Sequence, residues 1–321
     1  MRELLNSPVL IITYARPHGL ASILKTLEEL GPRRVYIAID GPKNSEIKKL
    51  QIGYIKIMQT VTENKILRLE IWRRSKNLGI GASIISALDW FFSKESSGII
   101  IEDDLIISKD FLTFVGTGLE YFAQDLKVLM ISGSQFDFNG KYPTNLSWSN
   151  YPIIWGWGTW ASKWTEIRKL ILRKKRIYPF IYSANSNFFR VGALRTLNGL
   201  IDTWDIPFAF EMMREKAHCV LPPVNLVSNI GTDKLAEHTK ESIYPLHLPI
   251  QKLDEDLEWN YNNRALIEKS INKSLEKKVF KIKFRHIFLP VFAFLQDKFI
   301  LRNKVGLDSL SERLRNIEMP I

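Results

Sequence analysis

Cysteine is almost absent from this chain of 321 residues. The one cysteine, Cys219, excludes an internal disulfide framework and a zinc site built from several thiolates. No apolar run approaches the roughly 20 residues that a membrane-spanning helix requires, and the longest late run, 288–295, contains Pro290. Residues 1–8 lack the long apolar region of a signal peptide. We therefore expect a cytoplasmic protein with a reduced thiol.

Acidic residues are outnumbered in this sequence, where 45 Lys and Arg residues against 34 Asp and Glu residues give a net charge of +11. Such an excess indicates an anionic partner, which could be a nucleotide diphosphate, an acidic membrane surface or a nucleic acid. Net charge is the only feature that favours nucleic acid, so we expect no nucleic-acid partner. The hydrophobic share of 45% and the chain length suit a large globular core.

Strand and helix patterns alternate along the first hundred residues. Buried strands are predicted at 9–14, 34–39, 67–72 and 99–101, and amphipathic helices at 20–30, 47–61 and 84–92. This alternation, with short loops, predicts an α/β fold with a mostly parallel, doubly wound sheet and helices on both faces. After Asp110 the pattern changes to a helix of about 15 residues and a strand at 128–132.

Three consecutive carboxylates, Glu102, Asp103 and Asp104, follow the fourth predicted strand. Open α/β sheets bind ligands in the crevice at the carboxyl ends of their strands. Three adjacent acids repel one another unless a cation lies among them, and oxygen ligands suit Mg²⁺ or Mn²⁺. The triplet therefore predicts a divalent metal bound together with the diphosphate of a nucleotide. The alternative is a solvated acidic turn.

The order of several separated motifs between residues 8 and 245 resembles the GT-A glycosyltransferases, which use nucleotide-sugar donors. The likeness extends to the N-acetylglucosaminyltransferase I type and to bacterial proteins built in the same way. It implies a GT-A, Rossmann-like form of the predicted sheet and a UDP-sugar donor. The motifs that carry it are Arg16 after the first strand, Asp40-Gly41 after the second, the triplet Glu102-Asp103-Asp104, Gly156-Trp157-Gly158 and Trp204-Asp205.

The resemblance implies a role for each residue of the donor-binding half. Asp104 matches the acid that binds Mn²⁺ or Mg²⁺ directly, while Glu102 and Asp103 match acids that contact ribose, sugar hydroxyls or metal-bound water. Asp40 matches the residue that hydrogen-bonds the uracil edge, and Arg16 is placed to bind a phosphate. The structural alternatives are a turn-forming role for Asp40 and a surface position for Arg16.

The predicted sugar pocket contains Gly156 and Gly158, with Trp157 between them as a further candidate and Trp204 further along the chain. Aromatic faces stack on sugar rings, and glycine allows close backbone approach. Core packing is the alternative for the tryptophans of this region, above all for Trp160 and Trp164.

The resemblance assigns the general base to Asp205, because an inverting transfer needs a carboxylate near the acceptor hydroxyl. Helix capping is the structural alternative for this residue, and Glu211 is the second candidate for the base. His238 would lie in a loop that closes over the donor as a further metal ligand. The alternative there is an ordinary surface histidine.

By this interpretation residues 1–261 form the catalytic domain, divided into a nucleotide-binding half, 1–110, and a sugar and acceptor half, 111–261. Residues 262–321 form a basic, amphipathic C-terminal extension. Bases and large apolar residues share the segment 273–304, which is typical of an anchor on the anionic inner face of a cell membrane. A helix packed on the catalytic domain is the alternative.

The sequence therefore predicts a metal-dependent, inverting glycosyltransferase of bacterial surface-glycan assembly, which acts on a glycan or lipid-linked glycan acceptor. A sugar-phosphate nucleotidyltransferase is one alternative, although residues 13–17 lack the glycine- and arginine-rich loop of those enzymes. A carbohydrate-binding protein without catalysis is the other. The intact triplet together with Asp205 argues against it.

Overall fold

The structure is a computed structural model that describes residues 6–31, 33–136, 145–173, 183–231, 246–254, 256–259, 264–293 and 309–320. The first elements are β1 (Val9–Thr13), α1 (Pro17–Glu29), β2 (Arg33–Ile39), α2 (Ser45–Asn64), β3 (Leu67–Arg73), α3 (Ile80–Phe92) and β4 (Ser97–Glu102). They are followed by β5 (Leu105–Ile107), α4 (Lys109–Tyr121), β6 (Val128–Ser132), β7 (Ser147–Ser149), β8 (Trp157–Trp160), α5 (Ala161–Leu172), α6 (Ala184–Leu197), α7 (Asp205–Arg214), β9 (His218–Leu221) and β10 (Val227–Asn229). The C-terminal segment contains α8 (Arg264–Ser274), a π-helical turn (Leu275–Val279), a 3₁₀ turn (Phe284–Phe288) and α9 (Leu310–Arg315).

Eight strands form the central sheet in the order β3-β2-β1-β4-β8-β6-β9-β7. The pairs β3-β2, β2-β1, β1-β4 and β6-β9 are parallel. The pairs β4-β8, β8-β6 and β9-β7 are antiparallel. The prediction of an α/β fold with a mostly parallel sheet between helices is confirmed, and β1 to β4 lie within two residues of the predicted strands.

β1 is buried on both faces. Its Leu10 and Ile12 belong to the core layer that contains α3, α5 and α7, whereas Val9 and Ile11 belong to the layer with α1, α2 and α4. Because successive strand residues point to opposite faces of a sheet, a strand covered by helices on both sides needs a continuous apolar run. That run is the pattern by which the sequence predicts this strand.

β8 divides the sheet into a parallel half, β3-β2-β1-β4, and a mixed half, β8-β6-β9-β7. It runs antiparallel to both of its neighbours, with Ile99 opposite Gly158 on one side and Ile131 opposite Gly158 on the other. A separate ribbon pairs β5 with β10 and sets Leu105 opposite Asn229. This ribbon brings the chain after β10 to the acidic triplet.

The described parts of the C-terminal segment pack against both sides of the protein, with α8 beside β7 of the mixed half and α9 beside α3. Asn272 accepts hydrogen bonds from Ser149 Oγ (3.0 Å) and from the Asn150 amide (3.1 Å), and Tyr151 Oη donates to Glu276 (2.6 Å). Leu310 of α9 is fully buried. These parts thus pack on the preceding residues, while the division at residue 262 and the catalytic role of residues 1–261 stay predictions. Among the described residues, no helix is both long enough and apolar enough to cross a bilayer.

Candidate active site

Polar residues gather where β1, β2 and β4 end. Thr13, Asp40 and Glu102 terminate or follow these three neighbouring strands, and the strands are parallel, so their carboxyl ends share one edge of the sheet. This edge is the usual ligand crevice of an open α/β sheet. The predicted donor-half residues lie along it.

Asp103 is the most fully bonded member of the triplet. Its Oδ2 accepts hydrogen bonds from Thr13 Oγ1 (2.6 Å) and from the Tyr14 amide (2.9 Å), and its Oδ1 accepts one from Arg16 (3.1 Å). The side chain is almost completely buried. Asp103 therefore fixes the β1-α1 loop and the Arg16 guanidinium, which also lies 3.7 Å from Asp104 Oδ2.

Thr13 and Tyr54 are two site residues that the sequence analysis missed. The Thr13 hydroxyl donates its hydrogen bond to Asp103. Because a hydroxyl has one hydrogen to donate, Tyr54 Oη is the donor in the 2.6 Å hydrogen bond between Tyr54 Oη and Thr13 Oγ1. Tyr54 Oη in turn accepts the Arg16 amide (2.8 Å). Tyr54 lies on α2, 41 residues from Thr13, and no local sequence motif predicts a contact between residues so far apart.

Asp40 holds the loop that precedes α3. Its Oδ1 accepts the amides of Gly41 (2.9 Å) and Leu78 (3.0 Å), and its Oδ2 accepts Asn77 Nδ2 (3.0 Å). Burial raises the pKa of Asp40 to about 6, although the Leu78 amide and the charge of Arg74 oppose the shift. These hydrogen bonds support the alternative that Asp40 stabilises a turn. A contact between Asp40 and uracil stays a prediction.

Glu102 is influenced by negative charge from its neighbours in the triplet and from Asp205 at the start of α7. Burial raises the pKa of Glu102 well above its usual range, and the negative charges of Asp104, Asp103 and Asp205 raise it further, against the opposing charge of Arg16. Asp205 must therefore lie within electrostatic reach of Glu102. The sheet brings together acids that are about a hundred residues apart in sequence.

Asp104 lies beside the chain that follows β10. Its backbone oxygen accepts the Ile230 amide (2.9 Å), and a side chain at Gly231 would collide with Asp104 Oδ2. The Asp104 side chain is 17% exposed. Glycine at 231 is what lets this chain pass so close to the carboxylate.

The acids at this edge fit a divalent cation of the kind that the sequence predicts. Mg²⁺ is usually held by one or two protein carboxylates together with substrate phosphates and water, and Asp104 with Glu102 provides such a pair. Within the described ranges, no group of three or more His, Cys, Asp or Glu side chains is arranged so that it could hold a metal ion. The metal site stays a prediction.

Asp205 is the first residue of α7, and Trp204 occupies the cap position. Its Oδ1 accepts the Ile206 amide (2.8 Å) and the hydroxyl of Thr203. Both hydrogen bonds that Asp205 makes within the described part of the chain end on Oδ1, which leaves Oδ2 to receive a proton. The alternative candidate, Glu211, is fully buried and ion-paired with Arg214 (2.9 Å).

Asp202 and Arg313 tie the two halves of the site together, and the sequence analysis missed both. Asp202 accepts the amides of Ile80 and Gly81 at the start of α3 (both 3.0 Å). Arg313 of α9 donates to Asp202 (2.9 Å) and to the Leu78 backbone oxygen (3.2 Å). The C-terminal helix thus braces the Asp40 loop and the segment that leads to Asp205.

The tryptophans of the predicted sugar pocket lie in the core. Trp157 and Trp204 are 1% and 3% exposed and stack on each other at 5.8 Å. Trp160 and Trp164 are also buried, as the core-packing alternative predicts. Neither Trp157 nor Trp204 offers an open face to a sugar in this conformation, so their donor contacts stay predictions.

Gly156 has a φ of +64°, which favours glycine. A side chain there would press on the Phe111 ring at 2.9 Å and on Val227 at 3.0 Å. The glycine therefore meets a packing requirement of β8, and a sugar contact by Gly156 stays a prediction. His238 lies outside the described residues.

Comparison with known proteins identifies no family. No family model matches the chain, and no curated protein matches it. The solved structure of UDP-glucose pyrophosphorylase complexed with UDP-glucose is similar over 67% of this chain and 89% of that chain, with 8% identity and a TM-score of 0.34. A TM-score this low identifies neither a shared fold nor a shared activity.

Proposed function

We propose that this protein is a metal-dependent, inverting glycosyltransferase of the GT-A type, which transfers a sugar from a UDP-linked donor to a hydroxyl group of a surface glycan. One arrangement carries the proposal: Trp204, the neighbour of Asp205, stacks on Trp157, and Trp157 pairs with Ile100 of β4, two residues before Glu102. A donor diphosphate needs positive charge around it, and the acceptor hydroxyl needs a base. Asp104 and Glu102 would bind the cation that supplies this charge, and Asp205 would supply the base.

The donor would lie along the carboxyl ends of β1, β2 and β4. Asp104 with Glu102 would hold Mg²⁺ or Mn²⁺, whose charge stabilises the departing nucleoside diphosphate. Arg16, kept in place by Asp103 at 3.1 Å, adds a further positive charge at the phosphates. Asp103 itself orients Arg16 and the β1-α1 loop.

Asp205 would act as the general base through Oδ2. The acceptor oxygen forms a bond to the anomeric carbon, the bond from that carbon to the diphosphate breaks, and its electron pair leaves with the diphosphate. The hydroxyl proton passes to Asp205. Hydrogen bonds from Thr203 and the Ile206 amide to Oδ1 fix the carboxylate for this task, because base catalysis requires the acceptor within hydrogen-bond reach.

The test is nucleoside diphosphate release from a panel of nucleotide sugars, with added Mn²⁺ or Mg²⁺ and with excess chelator. We expect metal-dependent release by the wild type and almost none by Asp104→Asn. The matched control is Glu46→Gln, an exposed acid on α2, which should keep full activity. The anomeric configuration of the product, determined by NMR, tests inversion.

Two outcomes would refute the proposal. Full activity in excess chelator would remove the metal from the mechanism. Pyrophosphate release from UTP and a sugar 1-phosphate, without any transfer from UDP-sugars, would show a nucleotidyltransferase instead.

A further inference from the structure

A set of large apolar side chains lies exposed on the C-terminal segment. Phe284 and Phe292 are 77% and 66% exposed, Phe288 is 46% exposed and Val291 44%. The rings of Phe284 and Phe288 touch, with 6.5 Å between centroids. Globular surfaces normally expose large apolar groups singly, and a contiguous group marks an interaction site.

The opposite side of this segment is fixed to the protein. Asn187 Nδ2 of α6 donates to the Ile287 backbone oxygen (2.9 Å), and the His286 ring packs against Phe188 at 5.3 Å. Ala293 is buried. The exposed phenylalanines therefore point outward from an anchored turn.

The chain that carries these rings is basic, and Lys283 and Arg285 flank Phe284 directly. The acid of the described stretch 273–293, Glu276, is engaged by Tyr151 Oη (2.6 Å) and Asn185 (3.1 Å). Its bases are all exposed, and they are Lys273, Lys277, Lys278, Lys281, Lys283 and Arg285.

We propose that Phe284, Phe288 and Phe292, together with Lys281, Lys283 and Arg285, form a membrane-binding face for an anionic lipid bilayer. Aromatic rings bury at the boundary between headgroups and acyl chains, while lysine and arginine meet anionic headgroups. Nucleic acid would satisfy the bases but would not bury the aliphatic Val291 beside them. The face is narrower than the anchor over 273–304 that the sequence predicts, and it does not depend on the proposed transferase activity.

The experiment is flotation of the full chain with vesicles of phosphatidylcholine alone or mixed with phosphatidylglycerol. The wild type should bind the mixed vesicles more tightly, and added salt should weaken that binding. The double variant Phe284→Ser/Phe292→Ser should lose about tenfold or more in affinity, since two apolar side chains no longer enter the bilayer. The triple variant Lys281→Gln/Lys283→Gln/Arg285→Gln should lose about tenfold at low salt.

Matched controls remove the same groups elsewhere. Ile52→Ser/Leu126→Ser changes two side chains that are 59% and 91% exposed, and Lys48→Gln/Lys49→Gln/Lys56→Gln removes three exposed lysines of α2. Both should bind mixed vesicles as the wild type does. Equal losses of vesicle affinity in the control and test variants would show that the proposed face does not bind the bilayer specifically.

A second measurement replaces only Phe288 and keeps Phe284, Phe292 and the three bases of the face. Phe288→Cys, labelled with an environment-sensitive fluorophore, should shift its emission to shorter wavelength on mixed vesicles, and the buried Cys219 should not react. Unchanged emission, or no wild-type binding to mixed vesicles, would overturn the proposal. So would an RNA oligonucleotide that displaces the vesicles and requires the bases but not the phenylalanines.

Discussion

The parallel and mixed halves of the sheet supply the candidate site in different ways. In the parallel half, the acids follow directly after strands, as Asp40 follows β2 and Glu102 ends β4. Asp205 instead begins a helix, and the adjacent Trp204 stacks on Trp157 at the start of β8, where β8 pairs with Ile100 of β4. The first arrangement follows from local chain geometry, whereas the second depends on how the halves pack.

The halves also differ in how they use their carboxylates. Asp40 and Asp103 of the parallel half are almost completely buried and accept several hydrogen bonds that hold loops. Asp205 is partly exposed, and its side-chain hydrogen bonds within the described residues are made by Oδ1 and not by Oδ2. We infer that the parallel half builds the donor site and the mixed half delivers the reactive group.

The largest effect is expected at Asp205, where Asp205→Asn should lower the transfer rate about 10²–10⁴-fold, since a positioned base is lost. The variant should still fold and bind nucleotide, because asparagine can keep the hydrogen bonds at Oδ1. Transfer rate and nucleotide affinity are the measurements. Glu211→Gln is the comparison, and a folded Glu211 variant with the larger loss would move the base there.

The next effect concerns the pH dependence of stability through Asp40. Its folded pKa is about 6 against an ordinary value of 3.8, so between these values the folded state holds a proton that the unfolded state has released. The contribution of Asp40 to the free energy of unfolding is therefore greatest below pH 3.8 and is lost as pH rises through about 6. The full change in unfolding free energy is about 3 kcal/mol.

Urea unfolding of the wild type and of Asp40→Asn from pH 4 to pH 7 measures this effect. The difference in unfolding free energy between the two proteins should change across the window. A constant difference would mean that the carboxyl of Asp40 titrates normally in the folded protein.

A smaller effect tests how closely α1 approaches the triplet. A side chain at Gly19 would collide with the Asp103 backbone oxygen, so Gly19→Ala should destabilise the protein by about 1–3 kcal/mol. Gly53→Ala on α2 is the matched control, because its nearest neighbour is Pro17 Cβ at 3.4 Å. Helix propensity predicts that this control gains about 0.5–1 kcal/mol.

Unfolding free energies in urea decide between the two glycines. Opposite signs are expected. A stabilised Gly19→Ala variant would show that the β1-α1 region can move away from the triplet.

The smallest effect tests the link between the halves. A double-mutant cycle of Asp202→Ala and Arg313→Met should give a coupling of about 0.5–1 kcal/mol, because both side chains are partly exposed and solvent screens the pair. The single variant Asp202→Ala should lower the free energy of unfolding by about 1 kcal/mol beyond this coupling energy, since it also removes the acceptor of the hydrogen bonds at the start of α3. Zero coupling would mean that α9 does not brace the segment before Asp205.

The strands of the parallel half could be predicted because β1, β2 and β4 contain short apolar runs, while β3 intersperses apolar with charged residues. β6 coincides with its predicted range. The roles of the site residues were less accessible. Tyr54 and Arg313 reach the site through contacts with Thr13 and Asp202, 41 and 111 residues away. Trp157 is predicted to lie in the sugar pocket but lies in the core. A tryptophan between two glycines is compatible with either place, and residues distant in sequence decide whether it is buried.

By itself, the sequence determined the strand and helix rhythm of the first half and the placement of the triplet at a strand end, because hydrophobic periodicity is a local property. Tertiary structure alone decided which acids are bonded and which stay available. It also turned Trp157 and Trp204 inward and packed the described parts of the C-terminal segment against β7 and α3. Those outcomes depend on burial and on contacts between distant residues, and such contacts form only when the two halves of the sheet come together.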